Sequence, residues 1–310
     1  MTKNLRLGID VGGTNASFGI VNSDGEILIK GSISSKGHQT PIVFVDELYK
    51  EILGKSGVDF FERIKSIGVG APSGNFYTGN IEFAPNIEWE GIIPLAKLIE
   101  EKFLIPTKLT NDANAAAMGE MMFGAAKEMK DFIMVTLGTG VGSGFVANGK
   151  LIYGHDGFAG ELGHVVAVRG GRACGCGRKG CLETYTSATG IVRTAYEFLE
   201  KKSMKSSLES LEKITSKDLF EAAQNGDLLA LEIFNFTGEI LGQTLADAAA
   251  ITSPEAIILF GGLAQAGHYI FAPTQKYFEE NLLMIYKNKI IIIPSLLNEN
   301  DAAILGAAAL

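Results

Sequence analysis

The sequence has little cysteine, proline, tryptophan or histidine: 3, 8, 1 and 4 among 310 residues. It also lacks an excess of positive charge. Lys and Arg number 27 against 35 Asp and Glu, a net charge of -8, and the pI is about 5.2. That balance argues against general nucleic-acid binding and leaves room only for a local basic phosphate pocket. No apolar run approaches the roughly 20 residues of a membrane helix. The opening MTKNLRLGID has no signal-peptide apolar region, so the cytoplasm is the expected location. There the glycosylation patterns at Asn15-Ala16-Ser17 and Asn235-Phe236-Thr237 carry little meaning. With 46% hydrophobic and 20% charged residues the chain is neither disordered nor fibrous. Its length suits about two domains, each with its own core.

Glycine is plentiful, with 38 residues. They cluster at Gly12-Gly13, Gly138 to Gly144, Gly170 to Gly180 and Gly261-Gly262. Such clusters imply tight loops that let backbone approach something closely. All three cysteines lie within eight residues, at Cys174, Cys176 and Cys181. An odd, clustered set in a cytosolic chain points to metal more than to disulfides.

Strands are expected at Leu5–Ile9, Ser17–Val21, Ile27–Ile33, Ile64–Val69 and Thr107–Thr110. Helices are expected at Thr40–Leu53, Pro94–Phe103 and Asp112–Phe123. The opening pattern then returns. Shifted by 125 residues, Gly13-Thr14 falls on Gly138-Thr139 and Gly19-Ile20-Val21 on Gly144-Phe145-Val146. Strands at Asp131–Thr136, Ser143–Ala147 and Leu151–Tyr153 complete the echo. It reads either as two related sheets, each with a Gly-Thr loop after its first strand, or as two ordinary hairpins. Beyond it, helices are expected at Leu182–Lys201, Ser216–Asn225, Leu229–Ala250 and Asn300–Leu310, and strands at Ala256–Phe260 and Ile290–Ile293. Lys202–Lys213 reads as an exposed connection.

Four features carry chemistry, each with a plainer reading. Asp10-Val11-Gly12-Gly13-Thr14 and Leu137-Gly138-Thr139-Gly140 present N–H groups and a hydroxyl at sheet ends, as phosphate cradles do, with Asp10 towards Mg²⁺. They are also what tight hairpins need. Asp112, in Asn111-Asp112-Ala113-Asn114, stands between strand and helix. It is either an N-cap or the general base for phosphoryl transfer to a hydroxyl, with Asn111 holding a neighbouring hydroxyl. Gly160-Glu161-Leu162-Gly163-His164 precedes Cys174, Cys176 and Cys181. One His and three Cys make a closed tetrahedral zinc set, structural and not hydrolytic; otherwise they are a buried His and idle thiols. Glu161 and Glu183 flank it as acceptors for sugar hydroxyls or as surface acids. Gly261-Gly262, after a buried strand, suits a flat adenine face or an ordinary turn. Gly175 to Gly180 matches G-x-G-x-x-G, but no strand precedes it, so it is a decoy.

LGIDVGGTN, NDANAAAMGE, TLGTGVGSG, GELGH, CGCGRKGCLE and FGGLAQAG, in that order, resemble the ROK family of sugar kinases and repressors. The resemblance spans residues 7 to 310. It implies an α/β, two-domain actin-like ATPase (ribonuclease H-like) fold with a ligand cleft between the domains. The small first domain would be 1–124, with the terminal helix 300–310 packed back on it, and the larger zinc-bearing domain 125–299. The implied activity is ATP-dependent transfer to the C6 hydroxyl of a hexose, glucose first, with N-acetylhexosamines, mannose and fructose as alternatives. Matched position by position, Asp112 is the base; Gly74, Asn86, Asn111, Glu161, His164 and Glu183 contact sugar. ATP falls to Asp10, Gly12, Gly13, Thr14, Asn15, Gly138, Thr139, Gly140, Gly261 and Gly262, with Mg²⁺. His164, Cys174, Cys176 and Cys181 would hold zinc. A homodimer or higher homo-oligomer is the family-level expectation. The family's sugar-sensing repressors carry a DNA-binding segment before the first glycine loop. Here six residues precede Leu7, so the enzyme is the expected form.

Overall fold

A computed structural model describes residues 5–84, 86–201 and 205–310. Met1–Asn4, Pro85 of APNIEW and the start of the Lys202–Lys213 connection lie outside the described residues. The chain divides into two compact units. The first comprises 1–129, 144–159 and 295–310; the second comprises 130–143 and 160–294.

The first unit opens with β1 (Leu5–Val11), β2 (Asn15–Val21) and β3 (Ile27–Ser34). Helix α1 (Pro41–Phe61) follows, then β4 (Ile64–Gly70), β5 (Ile81–Glu82), β6 (Ile92–Ile93), α2 (Leu95–Phe103), β7 (Thr107–Thr110) and α3 (Asp112–Phe123). Thr40 caps α1, accepting from the Val43 N–H, and Pro41 supplies its first turn. The helix outruns the predicted Leu53 because Gly57, at φ 68, lets the chain jog and resume. The two-residue strands β5 and β6 are too short to show a period in sequence.

The second pattern begins with β8 (Phe132–Leu137), β9 (Val141–Ala147) and β10 (Lys150–Leu151), the division between units passing through β9. Next come α4 (Glu183–Thr186), α5 (Ala188–Glu200), α6 (Ser216–Gln224), α7 (Leu228–Thr252), β11 (Ala256–Phe260), α8 (His268–Asn281), β12 (Ile291–Pro294) and α9 (Glu299–Ala308). The single helix predicted over Leu182–Lys201 is two, because the Ser187 side chain accepts from the Gly190 N–H and restarts it. Leu208 is buried within the connection predicted as exposed. Helix α8 escaped prediction: Pro273 sits inside it, against Gly238 of α7.

The two sheets have the same order, β3-β2-β1-β4-β7 and β10-β9-β8-β11-β12. Each begins with an antiparallel meander and continues with two parallel additions. The echo in the sequence is thus a repeated topology. Strands β8 and β11 are buried almost throughout, hence their unbroken apolar wording.

In the first unit Phe18, Phe44, Leu48, Ile52 and Val69 belong to one core. On the sheet's other contacts α9 lies against β1, β2 and β4. Glycines make that approach possible. A Cβ at Gly8 would strike the Ile304 carbonyl, and one at Gly68 the Ala307 carbonyl. Among the described residues no helix is long and apolar enough to cross a membrane.

Gly68→Ala is therefore expected to cost about 1–3 kcal/mol in urea denaturation, because the blocking atoms are backbone. Gly54→Ala, in α1 with open space around it, is expected to gain about 0.5–1 kcal/mol.

Candidate active site

Sheet register gathers the chemistry of the first unit. Asp10, Gly70 and Thr110 lie side by side on three parallel strands. Each strand ends at that edge, where ligands of open α/β sheets sit. From it run Gly12-Gly13-Thr14, the segment containing Gly74, and Asn111-Asp112.

Asn111, not Asp112, caps α3; its side chain accepts the Asn114 N–H at 2.6 Å. Asp112 occupies the first helical position and accepts from the Ala113 N–H at 2.8 Å. Its carboxylate is reachable by solvent but recessed among protein. That crowding raises its pKa from the ordinary value, against the pull of two backbone N–H groups. Asp10 is pushed up to about 6, first by burial and then by the Asp112 charge. Gly70 separates the two acids: a Cβ there would stand 3.7 Å from Asp10 Oδ1 and 3.9 Å from Asp112 Cα.

Gly12 makes the turn, donating to the Asn15 carbonyl at 2.9 Å. Gly13 makes room: its Cβ would meet the Asn86 carbonyl at 2.5 Å. The Thr14 carbonyl accepts from the Ser35 N–H. Gly74 lies on the Thr110 backbone, leaving no space for a side chain. Asn86 is held where Glu88 accepts the Gly37 N–H at 2.8 Å and Trp89 donates to the His38 carbonyl at 3.0 Å.

In the second unit Gly138 and Gly261 follow neighbouring parallel strands, with Thr136 opposite Phe260. Gly261, at φ 98, presses on Leu137, and its Cβ would meet that carbonyl at 2.8 Å. Gly138 and Gly262 face open space. The start of α5 engages two carbonyls of the Gly-Thr loop, Gly138 by the Ala188 N–H at 2.8 Å and Thr139 by the Thr189 hydroxyl at 2.9 Å. Glu183 reaches the same loop. Its Oε2 accepts from the Val141 N–H at 3.3 Å and would lie 2.6 Å from a Cβ at Gly140.

His164, Cys174, Cys176 and Cys181 converge. One ligand atom from each lies within 4.8 Å of the others. His164 Nδ1 is 3.7 Å from Cys174 Sγ, and the sulfurs of Cys176 and Cys181 are 3.6 Å apart. Tetrahedral zinc with ordinary bond lengths needs about 3.5–3.8 Å between such atoms. The backbone N–H of Arg178 holds the Cys176 thiol below its ordinary value, whereas burial pushes Cys174 up to about 12. Three thiols this close favour ionisation together only around a cation. His164 turns its other nitrogen towards Glu161, 4.0 Å away, and Glu183 lies 3.8 Å from Nδ1. Gly175 to Gly180 wraps this cluster, with Ala173 bridged to Lys179.

Thr189, Asn114 and Arg172 take part as well, although the sequence motifs give them no role. Thr189 carries a signal, a hydroxyl two residues past a Ser cap. Asn114 is fully buried and neither amide atom has a hydrogen-bond partner among the described residues; its burial has no mark in an Ala-rich helix.

The ROK family model matches residues 6–310. The glucokinase of Halalkalibacterium halodurans is 39% identical over 90% of this chain and 86% of its own. That of Thermotoga maritima is 35% identical over 100% and 98%. A crystal structure of a ROK family glucokinase from Streptomyces griseus, in complex with glucose and AMPPNP, superposes with a TM-score of 0.80. It is 33% identical and 98% of each chain is covered.

The Asp10 carboxyl binds its proton more tightly folded, at about 6, than unfolded, at 3.8. Its contribution to stability therefore falls as pH rises through that window and stays low above it. Asp10→Asn is expected to be more stable than the parent at pH 7 by about 1–3 kcal/mol. The gain should shrink towards pH 4 in urea titrations at several pH values.

Proposed function

The chain belongs to the ROK family and has its two-domain actin-like ATPase fold, and on that premise we infer that it is an ATP-dependent hexose kinase, a glucokinase. It moves the γ-phosphate of ATP to the C6 hydroxyl of glucose. The observation that carries this reading is the place of Asp112: freed from the cap by Asn111, open to solvent in the first turn of α3, and next to the strand end that bears Asp10 and the first Gly-Thr loop, with its pKa raised by the protein around it. A base must reach the hydroxyl proton and hold it only transiently; a carboxylate open to substrate, with its proton affinity raised by nearby protein, suits that task.

Asp112 accepts the C6 proton as that oxygen attacks phosphorus and ADP departs. Asn111, Asn86 and the backbone at Gly74 hold sugar hydroxyls from the first unit; Glu161, His164 and Glu183 do so from the second. Gly12, Gly13, Thr14 and Asn15, with Gly138, Thr139 and Gly140, receive the phosphates. Open Gly262, beside Gly261, receives the adenine face. Residues 1–124 with the terminal helix belong to one working domain and most of 125–299 to the other, residues 144–159 packing with the first unit. Asp10 fits a hydrated Mg²⁺, since a buried acid beside a second acid gains from a cation; the ion would neutralise phosphate charge. His164, Cys174, Cys176 and Cys181 fit zinc, which would fix the loop and so orient His164.

Glucose is the first sugar, with N-acetylhexosamines, mannose and fructose to be ranked against it by kcat/KM in a coupled ADP assay. Asp112→Asn should bind glucose nearly as the parent does and lose on the order of 10² to 10⁴ in turnover; turnover within tenfold of the parent refutes the base. Elemental analysis should find one zinc per chain, lost in Cys176→Ala or His164→Ala.

A further inference from the structure

Arg172 stands between His164 and the cysteines in sequence, outside the metal set, and is only 7% exposed. Burying a guanidinium is costly unless its donors are all met. Here Nε and Nη2 donate to the Glu197 carboxylate at 2.9 and 2.6 Å. Nη2 also reaches Thr194 Oγ1 at 2.9 Å. Nη1 donates to the carbonyls of Thr184 at 2.6 Å and Gly190 at 3.2 Å. The group stacks on Tyr185, 4.3 Å from the ring centre. Partial burial would raise the Glu197 pKa, yet the guanidinium holds it below its ordinary value.

These partners span the elbow between α4 and α5. In an unbroken helix the Ala188 N–H would bond the Thr184 carbonyl. It goes to Gly138 instead, and Arg172 fills the place it leaves. The elbow thus grips the Gly138-Thr139-Gly140 loop from both ends, Glu183 at Gly140 and Ala188 with Thr189 at Gly138 and Thr139.

We propose that Arg172 is a positioning residue for the phosphoryl transfer: it holds the α4–α5 elbow in the broken form that presents Glu183 and fixes the second Gly-Thr loop, independently of the metal. The inference rests on the kinase reading for its kinetic arm only.

Lysine cannot reproduce the fork. Arg172→Lys is expected to keep the parental metal content, to raise the KM for glucose and for ATP about tenfold or more, and to change kcat less than about threefold. In the parent, the Ala188 amide should stay protected in hydrogen exchange after a chelator removes the metal; in Arg172→Lys it should exchange even with metal bound. Parental KM values with parental protection overturn the proposal, as does loss of protection in the stripped parent. Should Arg172→Lys fail to fold, Glu197→Gln decides. This partner is half exposed, and its loss should raise KM about threefold at unchanged kcat; a parental KM overturns the proposal. If the parent phosphorylates no hexose, the kinase reading falls and the exchange arm still decides the elbow.

Discussion

Two carboxylates held beside each other, with Gly70 between them, set the character of the first unit. Among the described residues neither carboxylate has a side-chain hydrogen-bond partner. Asp10 is placed by β1, Asp112 by the first turn of α3, and both by the register that aligns Asp10, Gly70 and Thr110. The backbone ladder therefore bears the strain of two like charges. A cation or a proton relieves it, and both belong to phosphoryl transfer: one accompanies ATP, the other leaves the sugar.

In each unit a residue assigned to sugar rests on a glycine assigned to phosphate. Asn86 lies on Gly13, and Glu183 on Gly140. The anchoring differs. Asn86 depends on the single tryptophan, Trp89, packed on Phe44 and bonded to His38, and on Glu88 at Gly37. Glu183 depends on the α4–α5 elbow, which the buried Arg172 braces. Either way a glycine substitution would disturb both substrates' contacts, which is a stronger reason for glycine than turn geometry alone.

Much of this was legible in the sequence because each strand ends in a loop of distinctive wording. Apolar strands followed by Gly-Thr gave both sheets, and the clustered cysteines with His164 gave four side chains that the fold does bring together. Asp112 was legible as a residue but not as a position; that Asn111 takes the cap and leaves Asp112 to other work depends on a bond of one side chain. What stayed hidden depends on distant partners. Helix α8 tolerates Pro273 because Gly238 of α7 accommodates the ring. Arg172 reads as one more surface base until the elbow that consumes its donors is seen. The break at Ser187 is a choice between a helical bond and the carbonyl of Gly138, fifty residues upstream.

The docking of α9 on the glycine face of the first sheet has a consequence for biosynthesis. Strands β1 and β4 leave the ribosome early, whereas α9 follows only after the second unit has been made. Until then the face at Gly8 and Gly68 stays uncovered, and its contacts are among the most distant in the chain. The second unit has its whole chain before α9 is translated, so it is free to fold first, and the domain holding Asp10 and Asp112 matures last.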